Sequence, residues 1–452
     1  MKELFLEKIM IKNRTRFYIY EILLKIFSDD AFSNITLNNF YKKNNIIDIK
    51  DKKFITEVVY GTIKNKLYLE YIIKCFSKSK TKNKIKVILL MSLYQILFMN
   101  RTPNYAIVNE AVIISKEIDG KFSSSFVNAL LRNIIKNFNA NNINFKNDEE
   151  KFMIENSCPK DLFYILKKEY GTEKTRKIIL SFNNKSKNSI RVNLIKNNVK
   201  ELKQYFENKK IEAVHSNISP DNLLLKNIIS NDEKFNLGNY IFQGESSSLV
   251  AHSIGENKKI NYKILDTCAA PGGKSLHIAT LYPNSIVYSC DKHEHKISLI
   301  EDNAKKLDIK NIKVFKQDAT IYKDEYKEKF DIIICDVPCS GIGVIKNKPE
   351  IKYKINTNYI NQIRKTQLSI LENSKKYLKE NGILIYSTCT IDNKENEDNI
   401  KKFLKKNNNF VLEKISIDNS IIKEYKKGMI KILPDEYECD GFFICKLRKK
   451  GV

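Results

Sequence analysis

From about residue 260 onward, the chain repeats one pattern: an apolar run, a turn and a helical stretch. The apolar runs are Ile264–Asp266, Ile286–Cys290, Ile312–Phe315, Phe330–Cys335 and Gly382–Ser387. Such runs alternating with helices are typical of a parallel sheet covered on both faces. The region 251–452 is therefore predicted to be an α/β, Rossmann-like domain.

Polar side chains stand at or shortly after the ends of these strands. They are Asp266, Asp291, Asp318, Asp336 and Cys389. Ligands of open parallel sheets bind outside the carboxyl ends of the strands, so these side chains are expected to share one edge. A single aspartate in such a place is more often a helix cap, but four at successive strand ends indicate a bound cofactor.

A glycine-rich turn follows the first strand and forms a candidate cofactor-binding loop. The loop comprises Cys268, Ala269, Ala270, Pro271, Gly272, Gly273 and Lys274. A P-loop would need a glycine where Cys268 stands, and no G-x-G-x-x-G follows the strand. The remaining interpretation is a nucleoside-containing ligand, with Asp291 accepting hydrogen bonds from a ribose diol and Asp318 from an adenine amine. Lys274 is expected to pair with a nearby carboxylate.

Two cysteines stand just beyond predicted strand ends. Cys339 lies in the run D-V-P-C-S-G and Cys389 in Y-S-T-C-T. Either one alone would most often be a packing residue, but their shared placement favours an enzyme that attacks its substrate with sulfur. Buried packing roles are predicted for three cysteines in apolar runs, Cys75, Cys335 and Cys445, and for two beside the cofactor loop, Cys268 and Cys290.

The first part of the chain is predicted to be all helical. Apolar residues recur there at spacings of three and four, and Pro103 marks a helix junction. This all-α bundle is assigned to residues 1–140, with an asparagine-rich linker at Asn137–Asn144. Mixed helix and strand signals over 146–250 predict a small α+β middle domain.

The net charge and the composition of the chain limit the kinds of partner that it is expected to bind. Lys and Arg number 79 against 53 Asp and Glu, a formal net charge of +26. Such an excess favours a polyanion, although a nucleotide bias that enriches Lys, Asn and Ile would raise it too. The cysteines form no C-x-x-C pair and the histidines are not spaced as metal ligands, so no metal site is predicted. The longest apolar stretch is too short for a bilayer, and a cytoplasmic protein without membrane contact is expected.

These motifs together resemble the RNA cytosine-5 methyltransferases that use S-adenosylmethionine. The resemblance rests on the loop from Asp266 to Ser275, on the two cysteine motifs, and on Glu395-Asn396-Glu397 and Asp440-Gly441-Phe442-Phe443. In the helical part, V-V-Y-G-T, P-N-Y-A-I-V-N-E and F-V-N-A-L-L-R resemble a NusB-like RNA-binding domain. The pairing of both domains is typical of bacterial methyltransferases of 16S ribosomal RNA.

The resemblance implies particular roles and partners. Cys389 would be the nucleophile that adds to C6 of cytosine, and Cys339 would assist proton removal and product release. Asp336 would bind the cytosine edge or the reactive end of the cofactor. Spacing alone does not say which thiol does which. The implied cofactor is S-adenosylmethionine, and the implied partner is 16S ribosomal RNA, naked or in an early small-subunit particle, bound by a monomer.

Contacts to RNA phosphates are expected from basic residues in all three regions. The candidates are Lys12, Arg14, Arg16, Arg132 and Arg191. Where the family carries a pair of arginines after the Pro-Cys motif, this chain has Lys346-Asn347-Lys348, which can still supply charge.

Two other interpretations stay open. The same chemistry could act on transfer RNA or 23S ribosomal RNA, with the helical domain as a general RNA grip. Alternatively, the chain could be a non-catalytic RNA-binding factor with a vestigial methyltransferase fold, although the intact pair of thiols and the acidic strand ends argue against that.

Overall fold

The computed structural model describes residues 15–451, apart from 30, 45–46, 78–79, 101, 185–186, 228–231 and 418–420. The chain forms two compact units. One comprises Met1–Tyr164 with Lys348–Lys354, and the other comprises Ile165–Asn347 with Ile355–Val452. Within the described ranges, no helix is both long and apolar enough to cross a membrane.

The first unit is built from helices, as predicted. They are α1 (Thr15–Ser28), α2 (Ser33–Lys43), α3 (Ile49–Lys64), α4 (Lys66–Phe76), α5 (Asn83–Phe98), α6 (Asn104–Asn137), α7 (Asp148–Glu155) and the start of α8 (Lys160–Asn183). Pro103 directly precedes α6, where its missing N–H costs no helical hydrogen bond. Apolar residues at helical spacing, such as Ile19, Leu23 and Ile26, form one continuous core.

A short segment from far along the chain, Lys348–Lys354, completes the first unit. Its Glu350 accepts hydrogen bonds from the main-chain N and the Oγ of Ser33, at 2.9 and 2.8 Å. Lys352 Nζ donates to the carbonyl of Lys64 at 2.6 Å, at the end of α3. A carboxylate at a helix N-terminus and an ammonium at a C-terminus both satisfy unpaired backbone groups. This segment therefore caps two helices of the bundle.

The second unit contains a four-stranded antiparallel sheet, which confirms the α+β middle domain. Its strands are β1 (Asn188–Val192), β2 (Ala213–His215), β3 (Asn222–Leu225) and β4 (Tyr240–Phe242), in the order β2-β3-β1-β4. Helix α9 (Val199–Asn208) presents Leu202 and Phe206 to the core of this sheet. Helix α10 (Glu233–Asn236) leads into β4.

The larger sheet of the second unit has eight strands. They are β5 (Lys263–Asp266), β6 (Ile286–Asp291), β7 (Ile312–Lys316), β8 (Phe330–Asp336), β9 (Leu378–Thr388), β10 (Phe410–Leu412), β11 (Met429–Ile432) and β12 (Phe442–Lys449). The order is β10-β12-β9-β8-β5-β6-β7, and β11 also pairs with β12. Strands β5 to β9 are parallel, as predicted. Strands β10, β11 and β12, which the sequence pattern did not indicate, extend this sheet with antiparallel pairs.

Helices cover this sheet on both faces. They are α11 (Glu245–Ser253), α12 (Gly273–Leu281), α13 (Glu294–Leu307), α14 (Thr357–Tyr377), α15 (Glu397–Lys406) and α16 (Pro434–Tyr437). Successive strand residues enter opposite cores: Ile264 lies in one and Leu265 in the other. The chain proceeds from β5 to β7 on one side and from β8 to β9 on the other, so the topology switches between β5 and β8. A crevice at such a switch point is where open α/β sheets bind ligands.

Candidate active site

A cavity of about 350 Å³ lies at the carboxyl edge of the larger sheet, where β5 and β8 end. It collects seven of the residues predicted from the sequence: Cys268, Ala270, Asp291, Asp318, Asp336, Cys339 and Cys389. The cavity is also lined by residues that no motif indicated, among them Lys292, Gln317, Thr366 and Ile370. The predicted nucleoside site and the two thiols therefore belong to one cavity.

Two residues of the glycine-rich turn, Cys268 and Ala270, line this cavity. Gly272 has φ +100°, and its N–H donates to the carbonyl of Ala269 at 2.7 Å. A side chain at Gly272 would be strained and would press on Leu276 and Ile300. Five residues of the predicted loop form the turn and the start of α12 without lining the cavity: Ala269, Pro271, Gly272, Gly273 and Lys274.

The first acidic strand end, Asp266, lies beneath the loop and does not line the cavity. Its carboxylate is fully buried and accepts a hydrogen bond from Ser275 Oγ at 2.5 Å. Burial raises the pKa of Asp266 to about 7. Asp266 therefore fixes the first turn of α12.

The acidic ends of β6 and β7 face the cavity. Asp291 Oδ1 accepts from the N–H of His293 at 3.2 Å. Asp318 accepts from the N–H and Oγ of Thr320 at 2.9 and 2.6 Å, and these bonds lower the pKa of Asp318 although partial burial opposes them. Gln317 also lines the cavity, and its buried Oε1 has no hydrogen-bond partner among the described residues. Two carboxylates and an orphaned amide oxygen are acceptors suited to hydroxyl and amine donors of a nucleoside.

The two thiols lie side by side at the ends of β8 and β9. Cys339 Sγ and Cys389 Sγ are 3.2 Å apart. The hydrogen bond with Cys389 and the burial of Cys339 both raise the pKa of Cys339 well above its ordinary value. The two sulfurs share a hydrogen bond, in which one thiol can stabilise the thiolate form of the other.

An ion pair stands beside the thiols, as predicted for Lys274. Lys274 Nζ lies 2.6 Å from Asp336 Oδ2, and Asp336 Oδ1 accepts from Ser387 Oγ at 2.8 Å. Burial alone would lower the pKa of Lys274, but the charges of Asp336 and Cys389 raise it above its ordinary value. Lys274 is thus a fixed ammonium that favours negative charge at Cys389.

The segments carrying the thiols are bonded to each other. Ser340 Oγ and Thr390 Oγ1 lie 2.8 Å apart, so the residues directly after the two cysteines are joined. The N–H of Gly343 donates to the carbonyl of Cys389 at 3.0 Å. A side chain at Gly343 would collide with the carbonyl of Gly441, at 2.2 Å from its Cβ. The motif around Gly441, quoted above only for its resemblance, therefore packs against the loops that carry the two thiols.

A buried polar cluster lies beneath α11 and α12, and sequence spacing did not indicate it. Asp221 Oδ2 accepts from Nε2 of both His252 and His277, at 2.8 Å each. Arg191 is also buried and donates to Gln243 Oε1 at 2.8 Å, so its expected contact to RNA phosphate is wrong. The three groups Asp221, His252 and His277 converge within 4.8 Å although the histidines are far apart in sequence. The cluster joins the smaller sheet to α12, the helix that follows the glycine-rich turn.

His277→Gln should reduce acid destabilisation of the second unit. Burial and the nearby Arg191 lower the pKa of His277 from 6.5 to about 3. Between these pH values the unfolded chain binds a proton that the folded chain does not, so stability falls as pH decreases. The substitution should therefore remove about 2 kcal/mol of the stability that the wild-type chain loses between pH 7.5 and pH 5. Urea denaturation at pH 7.5 and 5.0 checks this, with His295→Gln, at an exposed position, as the control; equal acid losses in all three chains would contradict the expectation.

The remaining cysteine predictions are confirmed in part. Cys335 and Cys445 are buried, as predicted, and so is Cys290 beside the loop. Cys75 is exposed, so its predicted packing role is wrong. Helical spacing places Leu69 and Ile72 of α4 in the core and leaves Cys75 outside it.

Several of the basic residues expected to contact RNA phosphates instead make hydrogen bonds within the protein. Arg16 is half-buried and donates to Gln95 Oε1 at 2.8 Å. Lys346 is buried and donates to the carbonyl of Glu438, which corrects its expected role as a supplier of charge to RNA. Arg132 is exposed and donates to Asn128 Oδ1, so it keeps the surface position that a phosphate contact needs. Lys12 and Arg14 lie outside the described residues.

Known proteins match the whole length of the chain. The probable ribosomal RNA small subunit methyltransferase B of Bacillus subtilis (strain 168) is 36% identical over 454 residues, covering 98% of this chain and 100% of that protein. The chain belongs to the RsmB/F family of ribosomal RNA small subunit methyltransferases. Ribosomal RNA small subunit methyltransferase B of Proteus mirabilis (strain HI4320) is 27% identical, covering 90% of this chain and 92% of that protein.

Family models divide the chain in the same order as the fold. Residues 13–136 match the NusB family, residues 158–230 match the ferredoxin-like domain of RsmF/B-like methyltransferases, and residues 256–448 match the 16S rRNA methyltransferase RsmB/F model. The resemblance to bacterial small-subunit ribosomal RNA methyltransferases with a NusB-like domain is therefore confirmed, as is the order of a helical, an α+β and a methyltransferase domain.

Solved structures share this fold. The crystal structure of PH0851 has a TM-score of 0.84 at 25% identity and covers 97% of this chain and 98% of that chain. NSun6 from Pyrococcus horikoshii with SFG has a TM-score of 0.58 at 22% identity, covering 65% of this chain and 99% of that chain. The second likeness is one of fold.

Proposed function

We propose that this chain transfers a methyl group from S-adenosylmethionine to C5 of a cytosine in 16S ribosomal RNA, through a covalent bond between Cys389 and C6. The observation that carries the proposal is the placement of two thiols, 3.2 Å apart, in the cavity that also holds Asp291 and Asp318. Membership of the RsmB/F family supports the methyl transfer and the ribosomal RNA substrate.

The cavity suits the proposed cofactor. Asp291 would accept hydrogen bonds from the ribose, while Asp318 and the orphaned Gln317 Oε1 would accept from the adenine amine. Cys268 and Ala270 line the wall against which the ligand would lie. When bound, S-adenosylmethionine supplies a methyl group made electrophilic by its sulfonium charge.

The chain's own residues would prepare the cytosine. C5 of cytosine is a weak nucleophile, and addition of a thiolate to C6 converts the ring to an enamine-like species that attacks from C5. Lys274 and the S–H of Cys339 favour the thiolate form of Cys389. After methylation, a base must take the C5 proton while the C6–S bond breaks and Cys389 leaves as a thiolate. Cys339 lies beside the departing sulfur and, as a thiolate once its own proton has passed to solvent, would accept the C5 proton. Asp336, held by Lys274 and Ser387, would accept a hydrogen bond from the cytosine edge.

The nucleic acid must present an unstacked base to this cavity. Extrusion of a base costs a few kcal/mol, which contacts along the backbone offset. The net charge of +26 favours such contacts, and Arg132 is one exposed candidate for them. We propose that the chain binds the RNA as a monomer.

Labelled methyl transfer into separate RNAs tests the proposal. Purified chain and methyl-labelled S-adenosylmethionine are incubated with 16S ribosomal RNA, 23S ribosomal RNA, transfer RNA and early small-subunit particles. Label at C5 of one cytosine in 16S RNA is expected. Label only in transfer RNA or 23S RNA would favour the alternative substrates, and tight RNA binding without any label would favour a non-catalytic factor.

Asp291→Asn should weaken cofactor binding while leaving RNA affinity unchanged. The substitution keeps the shape but removes the charge that strengthens hydrogen bonds to the ribose, a loss of about 1.5–3 kcal/mol, or roughly ten- to a hundredfold in Kd. Calorimetric titration with S-adenosylmethionine measures the change. Asp302→Asn, at an exposed site on α13, is the control. If both variants bind S-adenosylmethionine with equal affinity, Asp291 does not contact the cofactor.

A further inference from the structure

Glu395 is a fully buried carboxylate between the two catalytic segments. Its Oε2 accepts hydrogen bonds from the N–H of Ser340 at 2.9 Å and from Gln367 Nε2 at 2.9 Å. Its Oε1 is buried and has no hydrogen-bond partner among the described residues. A buried carboxylate with only one oxygen satisfied is costly unless the position serves a purpose.

The contacts of Glu395 enclose Cys339 from both sides. Ser340 directly follows Cys339, and its N–H is held by Glu395 itself. Pro338 directly precedes Cys339, and its carbonyl accepts from Gln367 Nε2 at 2.9 Å, the same nitrogen that donates to Glu395. Gln367 is in turn oriented by Asn399 Nδ2, which donates to its Oε1 at 2.8 Å. The main chain on each side of Cys339 is thus fixed through one carboxylate.

We infer that Glu395 is a positioning residue for Cys339. Glu395 holds that thiol against Cys389 and makes the contribution of Cys339 to product release depend on pH. The inference rests on the proposed function, since it assigns Glu395 to the release of a covalent adduct. Glu395 acts through the backbone of Cys339 and is not itself a reacting group.

The titration of Glu395 gives this role a direction in pH. Burial raises the pKa of Glu395 to about 7. The titratable groups that interact with it are Asp392, Cys339, Tyr359 and Tyr386. A carboxylate accepts stronger hydrogen bonds than a carboxylic acid, so the frame around Cys339 is firmest above pH 7. Adduct release is therefore expected to quicken as pH rises through about 7.

The experiment measures decay of the covalent adduct on a 16S RNA fragment between pH 6 and 8, with kcat and KM, in the full chain. In the wild-type chain the decay rate should rise severalfold across this range. Glu395→Gln keeps an oxygen acceptor but cannot ionise, so its decay rate should rise clearly less than that of the wild-type chain across this range. Glu395→Ala should slow decay at least about tenfold and lower kcat, with KM for RNA within twofold of wild type.

Glu169→Gln is the matched control. Glu169 is also a carboxylate with little exposure, and it holds the same loop by accepting from the N–H of Asn393 at 2.8 Å, but it contacts neither neighbour of Cys339. Its variant should keep the wild-type pH response. The inference is overturned if Glu395→Gln retains the wild-type pH response. It is also overturned if Glu395→Ala releases the adduct as fast as the control at pH 8. Should the alanine variant not fold, Glu395→Gln is compared with the control at pH 8 instead. A wild-type chain that forms no adduct overturns the proposed function, and the inference with it.

Discussion

Cys389→Ala should abolish methyl transfer, with a loss of at least about 10⁴-fold in turnover and little change in RNA affinity. Without the sulfur no bond to C6 forms, and C5 remains too weak a nucleophile to take the methyl group. The side chain is small and only partly buried, so its truncation should leave the fold intact. Labelled methyl incorporation into 16S RNA measures the activity, and filter binding measures the affinity.

The control for this variant is Cys75→Ala. Cys75 is exposed on α4 in the helical unit and does not line the cavity. Its variant should keep wild-type turnover. If Cys389→Ala still methylates RNA, Cys389 is not the nucleophile. If the variant no longer binds RNA, its loss of activity reflects a folding defect.

Cys339→Ala should trap a covalent complex between protein and RNA. The nucleophile is intact in this variant, so the adduct forms. The group beside it that assists removal of the C5 proton and expulsion of Cys389 is absent, so the adduct persists. A band that migrates above the free protein on a denaturing gel, and that ribonuclease removes, is the expected result. Most of the protein should enter this band when RNA and cofactor are in excess.

Two controls make the gel decisive. The variant Cys339→Ala/Cys389→Ala should show no band, because it lacks the sulfur that bonds to the base. Cys75→Ala should release its RNA like the wild type. If Cys339→Ala turns over normally without a persistent band, product release depends on another group.

The parts of the site that stand at or just beyond strand ends could be predicted. Strand ends are marked by apolar runs, and a parallel sheet brings those ends to one edge; hence Asp291, Asp318, Asp336 and both thiols were placed together. The pairing of Lys274 with a carboxylate was also predicted, and Asp336 is its partner. The Gly272 turn follows from its backbone, since only glycine adopts φ +100° without strain.

Features that depend on distant pairing could not be predicted. Strands β10 and β11 have 3 and 4 residues, too few to show a clear alternation of apolar and polar side chains. Their register is set by pairing with β12. Arginine is rarely fully buried, so Arg191 was assigned to the surface; its partner Gln243 is 52 residues away. Glu395 and Ser340 are separated by 55 residues. No local pattern indicates such a contact.

The most direct test of the covalent mechanism is the identity of the sulfur that bonds to the base. A 16S RNA fragment with 5-fluorocytidine at the modified position holds the adduct, because fluorine at C5 cannot leave as a proton would. After digestion with trypsin and ribonuclease, mass spectrometry should locate the nucleotide on the peptide that contains Cys389. A nucleotide on Cys339 instead, or a methylated RNA that was never attached to the protein, would contradict the account.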